Sequence, residues 1–173
     1  MNPQGSSGIA SGTLQYDNEF WRFSLALYSE AGVAEECLAL QQAIGADINL
    51  LLFCVWAGSR GIVLEGGDIE RVMGRVAAWQ DHVVRPLRSV RQNMKSLELE
   101  DSENFRGRVK SVEIEAEQIE QAMLFAYSER FQSTHRDIRN AVAANVQIYI
   151  ELKSGQKSLA APVLINAALR LRS

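Results

Sequence analysis

Arg85, Arg88, Arg91 and Lys95 stand three or four residues apart, and the last three fall on one face of a helix. Guanidinium groups hold carboxylate and phosphate oxygens two at a time, so such a face could receive a phosphate, a nucleic acid or an acidic partner. Further along, Glu113, Glu117 and Glu120 recur at helical spacing and form a ridge of opposite charge and matching size. The preferred reading is that the two ridges pair across a helical hairpin, chiefly through Arg91 and Lys95. Arg85 and Arg88, beside Pro86, are then the better placed to meet a partner. Taken alone, the three glutamates are expected on a solvated face.

Little else is arranged for chemistry. His82 and His135 have no second histidine or cysteine near them, and no H-E-x-x-H or E-x-x-H pattern exists, so no metal is expected. Gly58-x-x-Gly61 and Gly66-Gly67 lack the spacing of a phosphate-binding or dinucleotide-binding loop, and no cofactor is expected. No serine sits in a G-x-S-x-G elbow. No catalytic residue is nominated and a non-enzymatic role is favoured; the alternative is an active site assembled only by folding.

The remaining candidates for a pocket, or for fixing helix register, are Asp47, Asn49, Trp56, Trp79 and Asn145. A buried amide without partners costs roughly 1–3 kcal/mol, so Asn49 and Asn145, on otherwise apolar stripes, are expected to cap a neighbouring helix end or set register. Asn49 could instead complete the first helical turn beside Asp47. Trp56 and Trp79 are read as packing residues, with a stacking pocket as the alternative.

These residues need helices to hold them. From Ile48 to Ala57 the chain is apolar on every side of a helix except at Asn49, which demands a helix covered by neighbours over most of its circumference. It is too short to span a bilayer. Before it, Asp17 or Asn18 caps a first helix carrying Phe20, Phe23 and Leu27; Val33, Cys37, Leu40 and Ile44 mark a second, which Gly45 stops. The second helix and the core helix are expected to form a tight hairpin. Apolar phase then runs from Ile69 to Leu97, with a kink or break near Val84 and Arg85 because Pro86 cannot bond the His82 carbonyl. The acidic stretch from Glu98 to Asn104 is expected to be a mobile loop. Val109, Val112, Ala116, Ile119, Met123 and Ala126 keep a 3-4-3-4-3 spacing, the seam of an intramolecular antiparallel hairpin. Asp137 caps a helix, and Pro162 opens a last one reaching Leu171. The fold class is all-α: a single-domain bundle of six to eight helices over 17–173, behind a flexible tail at 1–16.

With 47% hydrophobic and 23% charged residues among 173, the chain is of ordinary globular composition. A net charge of −3 gives no general attraction to nucleic acid or anionic membrane, so any such binding must be local; nucleic acid is not expected as a partner, and no membrane span is expected. Cys37 and Cys54 form no motif and are read as reduced core thiols in a cytoplasmic protein.

Trp21-x-Phe23-Ser24-Leu25-x-Leu27-Tyr28, then Gly32-Val33-Ala34-x-x-Cys37-Leu38-x-Leu40-Gln41, then Gly45 through Cys54, resemble an uncharacterised family of short proteobacterial proteins. Trp79-Gln80 and Val84-Arg85-Pro86-Leu87-Arg88 carry the likeness further. It implies a bacterial cytoplasmic setting and no reaction, cofactor or substrate. Two functions are therefore weighed. The first is a helical protein acting through a macromolecular partner or by self-association. The second is a pocket protein holding a small apolar or anionic ligand between the core helix and the kinked helix. An exposed apolar patch favours the first, and a cavity with converging polar groups the second.

Overall fold

Asn18 accepts from the Trp21 N–H at 2.8 Å and opens the first helix, in a computed structural model that describes residues 13–97, 102–133 and 137–171. Among these residues there are eight α-helices and no strand: α1 (Glu19–Tyr28), α2 (Val33–Ile44), α3 (Ile48–Ser59), α4 (Gly66–Trp79), α5 (Arg85–Asn93), α6 (Ser102–Ser128), α7 (Ile138–Ser154) and α8 (Pro162–Arg170). Most of the expected tail and of the acidic loop, and His135, lie outside the described residues; Ser102–Asn104, expected in the loop, are the start of α6.

Asp47 accepts from the Asn49 and Leu50 N–H groups and starts α3, which is buried from Asn49 to Ser59. Phe20, Leu27, Val72 and Tyr149 pack around it within one core. Each Leu or Phe so covered contributes roughly 1.5–3 kcal/mol relative to exposure. The expected hairpin of α2 and α3 is a minor contact: α3 packs mainly on α7. Gly45, in the left-handed region at φ +63°, ends α2 and turns the chain away.

α3 and α7 come close together at Gly58, where an added Cβ would lie 2.6 Å from the Val142 Cα and 2.7 Å from its nitrogen. A methyl group there meets backbone, which cannot rotate away. Gly58→Ala is expected to lose ~2–4 kcal/mol, lowering the melting temperature by on the order of 10 °C. Gly74→Ala, on α4 with nothing within 4 Å, is the control and should be neutral or slightly stabilising in the same thermal scans. Asn145 caps as expected: its amide donates to the Cys54 and Ile62 carbonyls and its oxygen accepts from Leu64 N–H, tying the chain leaving α3 to α7.

Pro86 acts through a π-turn over Gln80–Val84, in which the Arg85 N–H bonds the Gln80 carbonyl five residues back. The widened turn separates α4 from α5 at the expected place and seats the proline in the first turn of α5, where no N–H is required.

α5 and α6 pack antiparallel, but the apolar seam of α6 is not its buried face. Glu113, Ala116, Glu120, Leu124 and Ser128 are buried, while Val112 is 48% exposed and Ala126 is also exposed. The buried stripe includes two carboxylates that meet cations and amides, so charge pairing decides the rotation of α6, and of the expected apolar seam Ala116 is buried, Val109, Ile119 and Met123 are half-buried and Val112 and Ala126 are exposed.

Candidate functional site

At the start of α3 the caps and packing above enclose a polar cluster. The Asp47 carboxylate, besides capping α3, accepts from the Gln80 side-chain amide, and the same amide donates to Glu120 at 3.2 and 3.3 Å. Glu120 is fully buried, and the Gln80 amide bridges it to the Asp47 carboxylate. Burial first, and the neighbouring negative charge of Asp47 second, push the Glu120 carboxyl well above the ordinary carboxylate range, so it keeps its proton. Asn49 donates to Glu120 at 3.0 Å and accepts from Gln121 at 2.8 Å. The Tyr149 hydroxyl accepts from the Asp47 N–H at 2.7 Å and donates to the Asp47 carbonyl. Asn49 thus fixes register between α3 and α6, one of the roles expected of it.

Beside this cluster lie the two charged ridges. Arg88 bonds Glu113 at 3.0 Å and Glu117 at 2.5 Å, and Arg91 bonds Glu113 through both Nε and Nη2. Internal pairing exists, but among different members than expected. Arg88, assigned to a partner, is the most fully engaged; Lys95, assigned to pairing, is exposed and bonds none of the three glutamates. Arg85 pairs with Asp81 at the surface. Glu113 and Glu120 are buried, contrary to a solvated ridge, because the antiparallel register sets Glu113 under two guanidinium groups and Glu120 under α3 and the π-turn. Burial raises the Glu113 carboxyl, but the hydrogen bonds from Arg91 and Arg88 outweigh it and hold the group below its usual range. Burial prevails at Glu117, which is raised.

A half-open cleft of about 380 Å³ joins the two features, between α3 and the α5–α6 hairpin with α1 and α2 as the far wall. Leu25, Leu38 and Ile114 line it, Asn49 and Gln121 reach it from the acid pair, and Arg88, Arg91 and Lys110 supply its cations. Ser24 and Gln121, both lining residues, each carry a buried oxygen with no partner. Trp56 is core, stacked among Phe20, Phe53 and Phe125 beneath Arg60. Trp79 donates to the Ala116 carbonyl at 2.9 Å and borders a separate hollow. Of the sequence candidates, then, Asn49, Arg88 and Arg91 line the cleft and Asp47 lies behind it. Trp56, Trp79, Asn145, Arg85 and Lys95 are elsewhere.

Gln80, Gln121 and Tyr149 were not among the sequence candidates, and Glu120 was placed only on the charged ridge. Gln80 had a signal, a polar residue in an apolar stripe; the burial of Glu120 had none, since buried and exposed glutamates share the same spacing. Among the described residues no group of three or more His, Cys, Asp or Glu side chains could hold a metal, and no helix is long and apolar enough to cross a membrane. No curated protein and no solved structure matches the chain. A family model described as a protein of unknown function, DUF2390, matches residues 19–124, which takes in α1 to α5, the cleft, Asp47, Glu120 and both charged ridges. The chain belongs to the DUF2390 family.

Proposed function

We propose that this protein binds a small amphipathic molecule in the cleft between α3 and α5, its apolar body against Leu25, Leu38 and Ile114 and an anionic head toward Arg91 and Lys110. The cleft carries this reading: it combines apolar walls with converging polar groups. Three lining cations stand against two lining carboxylates, Glu113 and Glu117. On these grounds a ligand now ranks ahead of the macromolecular partner first preferred. The cellular setting proposed is the bacterial cytoplasm, in keeping with two buried free thiols.

The test uses octanoate as probe, displacing 8-anilinonaphthalene-1-sulfonate followed by fluorescence. Saturable one-site binding is expected, with octanoate about fivefold or more tighter than octanol, and Ile114→Trp, which fills the cleft from an exposed position, weakening it about tenfold. Octanol binding as tightly as octanoate, or no saturation at millimolar concentration, refutes the proposal. A macromolecular partner remains a second reading because the outer side of the α5–α6 hairpin exposes Val90, Leu97, Phe105 and Val112.

A further inference from the structure

The outer side of the α5–α6 hairpin lies away from the cleft. Arg88 and Gln92 on α5, and Lys110, Ile114 and Gln121 on α6, line the cleft. Val90 and Leu97 on the first arm of the hairpin, and Phe105 and Val112 on the second, point to the other side and are about half exposed. Their spacing is seven residues on both sides, and Ile119 and Ala126 continue the series on α6. A seven-residue repeat keeps one face turned to a partner helix along its length. Both stripes precede the ion-pair positions by about one residue, and in an antiparallel pair that offset puts them on the same side.

We infer that this face docks on a second copy of the same chain, the two hairpins related by a twofold axis passing near Val112. Charge selects the occupant. Arg108 and Glu115 flank Val112 on the outer edge of α6, seven residues apart, both exposed and without a hydrogen bond or ion pair among the described residues. When two copies of α6 cross antiparallel at their shared midpoint, Arg108 of each copy lies opposite Glu115 of the other, so the edge is its own complement, as a twofold interface requires. Elsewhere along the hairpin the rim carries Pro86, Ser89 and Asn93 on α5 and Ser111 on α6, and only at its far end, beside Ile119, does Arg75 of α4 come near. An anionic membrane would call for a basic rim instead.

Area sets the strength. From Phe105 to Ile119 the face is roughly 21 Å long and two helices, roughly 20 Å, wide. Two copies then remove on the order of 1,000 Å² of accessible surface, the lower end for a specific contact, so a micromolar dimer is expected rather than an obligate one.

Sedimentation equilibrium of the full chain from about 1 to about 500 μM is the experiment, the range following from that weak affinity. The wild type should pass from monomer to dimer. Arg108→Glu and Glu115→Arg should each weaken dimerisation about tenfold or more by placing like charges opposite each other twice. An equimolar mixture of the two variants should form a heterodimer as tight as the wild-type dimer, and the double variant should recover as well. Phe105→Glu, at an exposed site, should abolish association with unchanged helical circular dichroism. A wild type monomeric throughout, or a dimer insensitive to either charge reversal, overturns the inference. Octanoate binding should be unaffected by all of these variants, since the cleft lies on the opposite side.

Discussion

Leu51→Asp should yield no soluble, folded protein. Leu51 is fully buried in the first half of α3, inside the apolar core. The substitution forfeits the burial of the leucine and leaves a cavity, together ~3–5 kcal/mol, before the charge is counted. An isolated carboxylate must then either be desolvated or take a proton, and the total exceeds the 5–15 kcal/mol margin of an ordinary domain or consumes about all of it. Leu52→Asp, 3% exposed, should behave alike. Leu25→Asp, on the exposed side of α1, should fold normally. Native helical circular dichroism and an unchanged melting temperature for Leu51→Asp would show that α3 is not enclosed.

The second large effect is a pH dependence set by Glu120. In the unfolded chain this carboxyl titrates near 4.5; in the folded protein burial and the charge of Asp47 raise it. Above the unfolded value the native state therefore holds a proton that the unfolded chain has released. Stability is fully present below that value and is lost as pH rises toward the folded one, at up to about 1.4 kcal/mol per pH unit. Glu120→Gln carries a permanent N–H in place of the carboxyl proton and keeps an oxygen for Asn49 and Gln80. It should flatten the slope and be more stable than the wild type above neutrality. Melting temperatures of both proteins at about pH 5.5, 7 and 8.5 read the difference, and Glu117, raised in both, cancels in the comparison. Glu120→Ala, which strands Asn49, Gln80 and Asp47, should lose ~3 kcal/mol or more throughout. Parallel profiles for wild type and Glu120→Gln would mean that Glu120 is ionised in the native state.

The all-helical fold was readable because its signals are local. Asn18, Asp47 and Asp137 each cap the helix they precede, Gly45 ends one in a left-handed turn, and the unbroken apolar run of α3 has no other stable placement. The two largest misreadings share one cause. Apolar periodicity put Val112 inside and Glu113 outside on α6, and the reverse holds. Hydropathy alone charges a buried glutamate with its full desolvation, whereas here two arginines from another helix offset it. That compensation depends on the register between α5 and α6, a long-range fact that neither stripe carries. Asp47 and Asn49 were visible for their place on the core helix, but not their partners: Glu120 is 71 residues beyond Asn49. Half of the cleft floor was thus legible, the half belonging to α3.

The π-turn between α4 and α5 has a consequence for how this chain tolerates changes in length. A helix with such a turn holds one residue more than a regular helix would over the same path, so removing any one of Asp81, His82 or Val83 would let the turn close into an ordinary α-helix. Arg88 and Arg91 would keep their place above Glu113, because the lost residue is the one the widened turn had taken up. A deletion inside the regular turns of α5 has no such reserve: without Ser89, everything after it would be dialled round by about 100°, and Gln92 would arrive where Arg91 now stands. The turn works as slack in the phase of the chain, one residue deep, placed just ahead of the arginines that depend on it.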